Sequence, residues 1–356
     1  MNKIPAAIFG ASGMVGQRFA SLLQNHPQIE LVAAYSSDRS RGKTLGEIWR
    51  IPEIPLIEDV SSLKLEKLDV EDAAAKGVKI AFGALPADLA RDVELVAASK
   101  GIAVFSNAGA YRMESDVPIL IPEINFDHLN IVDVQRKNRN SKGFIVTNSN
   151  CSVAGLSVAL KPLVDRLRFK RVFVSTYQAI SGAGYPGVPS LDINANCLPF
   201  IKNEEEKMNR EARKILGSFN GKSIDPRDIE VWAHCVRVPC RDGHLESVSI
   251  LLDGQPPSVE ELERIFDEFT GVPQELKLPT APQQAIIVRK ERDRPQPILD
   301  AMAGYPDRAR GMAVSVGRIR IDGNLLRFFC LVHNTLRGGA GDSVLNAECA
   351  IHEGKT

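Results

Sequence analysis

Residues 147–160 read TNSNCSVAGLSVAL, with a thiol, Cys151, at the point where polar residues give way to small and apolar ones. The apolar run at 144–147 predicts a strand, so Cys151 would open the helix that follows it. Free N–H groups and the positive end of the helix dipole favour a thiolate there, lowering the pKa from a free value of about 8.5. The chemistry on offer is nucleophilic catalysis. A lone cysteine is more often an inert packed residue, and a nucleophile also needs a group that takes and returns a proton.

Histidines stand at 26, 128, 234, 244, 333 and 352. His244 lies in RDGHLE, just past a turn signal and at the start of a predicted strand, where a side chain can reach into an inter-domain cleft. His26 and His352 read as solvent-facing helix residues, His128 as a loop residue, and His234 and His333 as strand packing. His234, Cys235, Cys240 and His244 are also potential metal ligands. Their spacing fits no common zinc pattern, and adjacent strand residues face opposite sides, so no metal is expected.

Two clusters suit an anion. NAGAYR, 107–112, follows a predicted strand at its C-terminal end, where open α/β sheets bind ligands. EEEK, 204–207, opens a predicted helix. Arg112 and Lys207 could hold a phosphate, the one by a bidentate fork and the other as a point charge. The plain alternative for EEEK is a solvated helix start whose acids complement the dipole, and taken alone the residues favour it.

A third signal lies near the start. Gly10-Ala11-Ser12-Gly13-Met14-Val15-Gly16 sits between a short apolar strand and a helix, with a second strand beyond, which is the setting of a dinucleotide-binding turn. Its glycines let the backbone approach a pyrophosphate on a helix N-terminus. An acid at the end of the second strand would indicate NAD. Instead Ser36-Ser37-Asp38-Arg39-Ser40-Arg41-Gly42-Lys43 offers hydroxyls and cations suited to a 2′-phosphate, which favours NADP. Asp38 leaves NAD open, and a solvated basic loop is the bland reading.

These residues need a frame. Apolar runs at 6–9, 29–35, 78–85, 102–106 and 144–147 alternate with helical patterns at 14–24 and 87–100, which predicts a parallel sheet covered by helices. Beyond Cys151, long strand patterns at 170–180, 229–238, 245–253, 311–322 and 325–334 are joined by turn signals such as RDGH and IDGN, which predicts a mostly antiparallel sheet. Residues 339–354 read as a closing helix, and the Pro-rich 272–297 as an ordered surface excursion.

At 356 residues the chain suits about two domains. Its charges balance at 44 of each sign, so no overall field recruits nucleic acid or an anionic membrane. No run approaches the roughly 18 apolar residues of a membrane span. The start lacks a signal-peptide pattern, and the cysteines form no C-x-x-C pair or disulfide framework. A reduced, cytoplasmic protein is expected.

Along nearly the whole chain, GASGMVGQRF, SNAGAYRMESDVPILIPEIN, NSNCSVAGL, YQAISGAGYPGVPSLDI, EEEK, RVPCRDGHLESVSI, LPTAPQQAI, DRPQP and HNTLRGGAGDSVLNAE together resemble the aspartate-semialdehyde dehydrogenases, in their archaeal and fungal branch. The resemblance implies an α/β plus α+β fold. A Rossmann-like NADP-binding domain would span 1–149 with 335–356, and a catalytic and dimerisation domain 150–334, with the C-terminal helix returning to the first domain. It implies NADPH-dependent reductive dephosphorylation of L-4-aspartyl phosphate to L-aspartate 4-semialdehyde, on the way to lysine, threonine, methionine and isoleucine. It also implies a homodimer or homotetramer.

Residue by residue, the resemblance makes Cys151 the acyl-thioester nucleophile, Gln178 the residue that orients it and the substrate, and His244 the acid/base. It assigns Arg237 to the substrate α-carboxylate, Glu204 to the amino group, and Arg112, Asn107 and Lys207 to the phosphate. Cofactor contacts fall to Gly10, Ser12, Gly13, Met14 and Val15, to Ser36, Ser37, Arg39, Ser40 and Lys43 of the basic loop, and to Ser181, Gly182 and Asn334. Two positions depart from the pattern: Ser149 replaces the usual proline before the nucleophile, and Gly338-Gly339-Ala340-Gly341 replaces Gly-Ala-Ala-Gly. A related acyl-CoA reductase such as malonyl-CoA reductase is the rival enzyme, though it has no amino group for Glu204 to meet. A non-catalytic NADP-binding protein is the rival outside enzymes.

Overall fold

The computed structural model describes residues 3–356. Strands β1 (Ile4–Phe9), β2 (Ile29–Ser36), β3 (Leu65–Lys67), β4 (Ile80–Gly83), β5 (Ala103–Ser106) and β6 (Phe144–Thr147) form the first sheet. Their order is β3-β2-β1-β4-β5-β6 and every pairing is parallel. Both faces are packed into apolar cores, which explains unbroken runs such as FIVT where a half-exposed strand would alternate. Successive crossovers part between β1 and β4, which opens a crevice at their C-terminal ends. Gly10 leaves β1 there at φ +95°, and a Cβ on it would lie 2.4 Å from the carbonyl oxygen of Ala84. The three-residue β3 carries too short a pattern to read from sequence.

After a small ribbon of β8 (Ser218–Phe219) and β9 (Ile224–Asp225), the remaining strands build the second sheet with β7 (Arg171–Gln178). They are β10 (Glu230–Arg237), β11 (His244–Leu251), β12 (Ile286–Arg289), β13 (Val314–Asp322) and β14 (Leu325–Val332). The order is β10-β7-β11-β14-β13-β12. IDGN joins an antiparallel hairpin, β13 to β14, as its turn signal indicates. RDGH does not: β7 lies between β10 and β11, parallel to the first and antiparallel to the second. Part of the excursion 272–297 is also a strand, because β12 pairs parallel with β13 and buries Ile286. An edge position tolerates the surrounding prolines that hid it.

The helix Cys151–Val164 starts at the end of β6 and runs beneath the second sheet. It is apolar nearly all round, as a helix buried on all sides must be. Complete burial of Leu156, Val158, Leu160 and Leu163 is worth about 1.5–3 kcal/mol each before the entropy of ordering them. Gly155 brings the helix close to the sheet, since a Cβ there would meet Val332 at 2.7 Å. The closing helix Gly341–His352 returns to the first sheet, where Val344, Leu345 and Ala347 join its core.

Candidate active site

Cys151 is the first residue of its helix, and the cap is Asn150. Asn150 Oδ1 accepts from the backbone N–H groups of Ser152 and Val153 at 3.0 and 3.3 Å. Asparagine is a favoured N-cap residue, so this role was open to sequence reading and was missed. Cys151 Sγ lies 3.2 Å from His244 Nε2. His244 begins β11, fully buried, and its Nδ1 accepts from the backbone N–H of Ala179 at 3.0 Å. A ring nitrogen that accepts is unprotonated, so the neutral ring carries its proton on Nε2, toward the sulfur. The carbonyl of Ala179 accepts from Arg237 Nη1 at 2.7 Å. The main chain of one residue thus orients both side chains.

Gln178 and Arg237 are register partners at the ends of β7 and β10. Gln178 Nε2 donates to Thr176 Oγ1 at 3.2 Å. Gly182 lies against Arg237 and His244, and a Cβ would come 3.0 Å from Arg237 Nη1 and 3.2 Å from His244 Nε2. Gly338 packs on the nucleophile itself, with a virtual Cβ 2.8 Å from the Cα of Cys151. Its neighbour Gly339, where the family pattern has alanine, has room for a Cβ in ordinary contact, 3.4 Å from the Asn334 carbonyl oxygen. Ser149 is buried with an unpartnered hydroxyl. Thr147, Asn148 and Asn150 donate their backbone N–H groups, and Ser149 makes no such bond, so the usual proline would cost no hydrogen bond.

The anion-binding expectation divides. Arg112 and Lys207 line one cavity of about 540 Å³ together with Gly109 and Arg210. Arg112 donates from Nη1 to Glu211 Oε1 at 3.1 Å and from Nη2 to the carbonyl of Asn107 at 2.8 Å, while its buried Nε has no partner. Asn107 is different. Its amide nitrogen donates to the Gly83 carbonyl and Ser343 Oγ, and its oxygen accepts from Asn148, so the amide secures the loop and offers no free donor. Glu204 is buried, accepts from Asn150 Nδ2 at 2.8 Å and pairs with Lys207 Nζ at 3.3 Å. The solvated helix start therefore holds for Glu205 and Glu206 but not for Glu204.

In the free protein, burial opposes the thiolate that the helix start favours. Burial, with Glu204 next in weight, pushes the Cys151 thiol up to about 12, although Arg237 and Arg112 pull the other way. Burial, with Arg237 and His333 behind it, holds His244 well below its usual value. A neutral thiol therefore faces a neutral imidazole, and desolvation outweighs the helix dipole. Such a thiol adds stability below its unfolded pKa and loses it as pH rises toward 12. Alkylation by iodoacetamide at pH 8, followed residue by residue by mass spectrometry, should modify the exposed Cys197 at least about a hundredfold faster than Cys151. Equal rates would restore the thiolate.

Three other histidine readings change. His26 is buried and bonds Glu348 at 2.9 Å, His128 is buried beside Asn125, and His234 is exposed on β10. On that strand His234 faces outward and Cys235 inward.

The glycine turn fits a pyrophosphate. Gly13 precedes the helix Met14–Leu23 without capping it by a side chain, and no acid stands in the first turn. Gly16 has no room for a side chain, since a Cβ would lie 2.2 Å from the carbonyl oxygen of Gly10. Ser36 is buried, whereas Ser37, Arg39 and Lys43 are exposed, and Ser40 partly so, in the loop after β2. Met14 and Ser181 line one cavity of about 540 Å³ with Trp49 and Tyr185. Asn334 Nδ2 donates to Ser181 Oγ at 2.8 Å, and its Oδ1 accepts from the Gly243 N–H at 2.9 Å, one residue before His244.

Comparison with known proteins agrees with this arrangement. Residues 5–132 match the family described as semialdehyde dehydrogenase, NAD binding domain, and residues 160–337 the semialdehyde dehydrogenase, dimerisation domain. An aspartate-semialdehyde dehydrogenase from Archaeoglobus fulgidus is 48% identical over 351 residues, 97% of each chain. One from Schizosaccharomyces pombe is 41% identical over 356 residues, 98% of each chain. The crystal structure of aspartate semialdehyde dehydrogenase with NADP from Candida albicans superposes with a TM-score of 0.88 at 37% identity, covering all of both chains. With the cysteine and the histidine in contact, Met14 of the glycine turn sharing a cavity with Ser181, and relatives this similar over the full length, the chain belongs to the aspartate-semialdehyde dehydrogenases.

Proposed function

We propose that this chain reduces L-4-aspartyl phosphate to L-aspartate 4-semialdehyde with NADPH, through a thioester on Cys151. The observation that carries the reading is the 3.2 Å contact between Cys151 Sγ and His244 Nε2, with Arg112 and Arg237 both near enough to bias the thiol. Cys151 Sγ attacks the acyl carbon, the acyl C–O bond breaks, and the thiol proton departs with the phosphate, which leaves toward Arg112 and Lys207. Arg237 holds the substrate α-carboxylate and Glu204 its ammonium. The nicotinamide, when bound, supplies the hydride that reduces the thioester. His244 Nε2–H donates to the oxyanion of the resulting tetrahedral adduct, which collapses to aldehyde and a thiolate that takes its proton from solvent. The covalent route divides one hard reduction into two easier steps.

Glu204 favours this substrate over an acyl-CoA, because a buried carboxylate beside the nucleophile suits an ammonium that malonyl-CoA lacks. In this reading residues 1–149 and 335–356 form the cofactor half and 150–334 the catalytic half. The outer face of the second sheet exposes Phe173, Tyr177, Trp232 and Leu251, a patch suited to a second copy of the chain. Among the described residues no helix is long and apolar enough to cross a membrane, and a biosynthetic role belongs in the cytoplasm.

The test is NADP⁺ reduction with L-aspartate 4-semialdehyde. It should require inorganic phosphate, and malonyl-CoA should not oxidise NADPH. Reduction that proceeds equally without phosphate would remove the acyl-phosphate step.

A further inference from the structure

Helix Glu204–Ile215 presents a second carboxylate to the site, two turns beyond Glu204. Glu211 is buried, and each of its oxygens has one partner: Oε1 accepts from Arg112 Nη1 at 3.1 Å and Oε2 from the backbone N–H of Asn150 at 2.6 Å. Arg112 belongs to the loop after β5, and Asn150 caps the helix that Cys151 opens. We propose that Glu211 is a positioning residue that fixes the phosphate-binding guanidinium at a set distance from the nucleophile.

Lys214, one turn on, strengthens the same link. Its Nζ donates to the carbonyls of Arg112, Glu114 and Val117 at 2.7, 2.8 and 2.7 Å. The helix therefore grips the loop by its main chain through Lys214 and by its guanidinium through Glu211. Nη1 and Nη2 each spend one N–H, on Glu211 and Asn107, and the second N–H of each is the capacity Arg112 keeps for a ligand. A carboxylate is required for this link. Only an ionised acid accepts at both oxygens, and an amide would turn N–H groups toward either Arg112 or the Asn150 N–H. A carboxylate beside a phosphate grip weakens its charge, so its value lies in orientation, on which bidentate recognition depends.

The role rests on the function proposed above. Phosphate-dependent NADP⁺ reduction is measured for wild type, Glu211→Gln and Glu211→Asp. Both variants should raise the KM for phosphate about ten- to hundredfold, the effect of losing a buried charge-assisted hydrogen bond, and leave the KM for NADP⁺ within about twofold. In an Arg112→Lys background Glu211→Gln should change the phosphate KM by less than about twofold, because the two act as one unit. If Glu211→Gln does not fold, Glu211→Asp carries the test. A phosphate KM that stays level or falls, or effects that simply multiply in the double variant, would overturn the role. A wild type without phosphate-dependent activity would instead overturn the reading of the site.

Discussion

Cys151→Ala is expected to lower phosphate-dependent NADP⁺ reduction by about 10⁴-fold or more while the protein still folds and binds NADPH. The loss is large because the side chain is the covalent centre of the proposed route. Without it, direct displacement on the acyl phosphate has no thioester stage. Folding should survive, since alanine is a good helix former and the cap on Asn150 needs nothing from the thiol. Cofactor binding should survive because the glycine turn lies in the other half of the molecule. Trp49 reports it: the indole lines the cavity shared by Met14 and Ser181, and Trp232 sits on the far face of the second sheet. Quenching of the Trp49 signal by NADPH with undiminished turnover would end the covalent mechanism.

Much of this arrangement is legible in the sequence. The glycine turn, the parallel strands and the thiol at a helix start all rest on local pattern, and local pattern survives folding. The errors came where distant residues decide the outcome. RDGH has the chemistry of a hairpin turn, yet β7 arrives from more than fifty positions earlier and inserts between the strands it joins. His26 looks solvent-exposed until Glu348, itself held by Thr280, closes over it. Cys151 illustrates the same limit for electrostatics. Its dipole could be read from the helix start, whereas the burial that outweighs it comes from strands, loops and the closing segment around Gly338. Glu211 left a fainter trace, a spacing of seven from Glu204 on a helix whose other face is solvated.

His244→Asn is the second large loss, with an expected fall in kcat of about 10²–10⁴-fold. Asparagine is chosen because its side-chain oxygen can still accept from the Ala179 N–H while nothing reaches Cys151 Sγ. The loop that carries Arg237's acceptor, the Ala179 carbonyl, is then left in place. A difference in stability should accompany the kinetic loss, and its sign follows from burial. His244 sits well below its usual value and His333 is lowered to about 4, so the unfolded chain takes up protons first as the solution is acidified. Wild type therefore loses stability as pH falls below about 6.5, the unfolded value, and removing the His244 imidazole from a set that also includes His333 and the buried His128 reduces that loss. Thermal unfolding of wild type and His244→Asn at pH 7.5 and pH 5 measures the difference. A variant as acid-sensitive as wild type would mean that His244 is not held neutral by its burial, and the assignment of its proton to Nε2 would have to be given up with it.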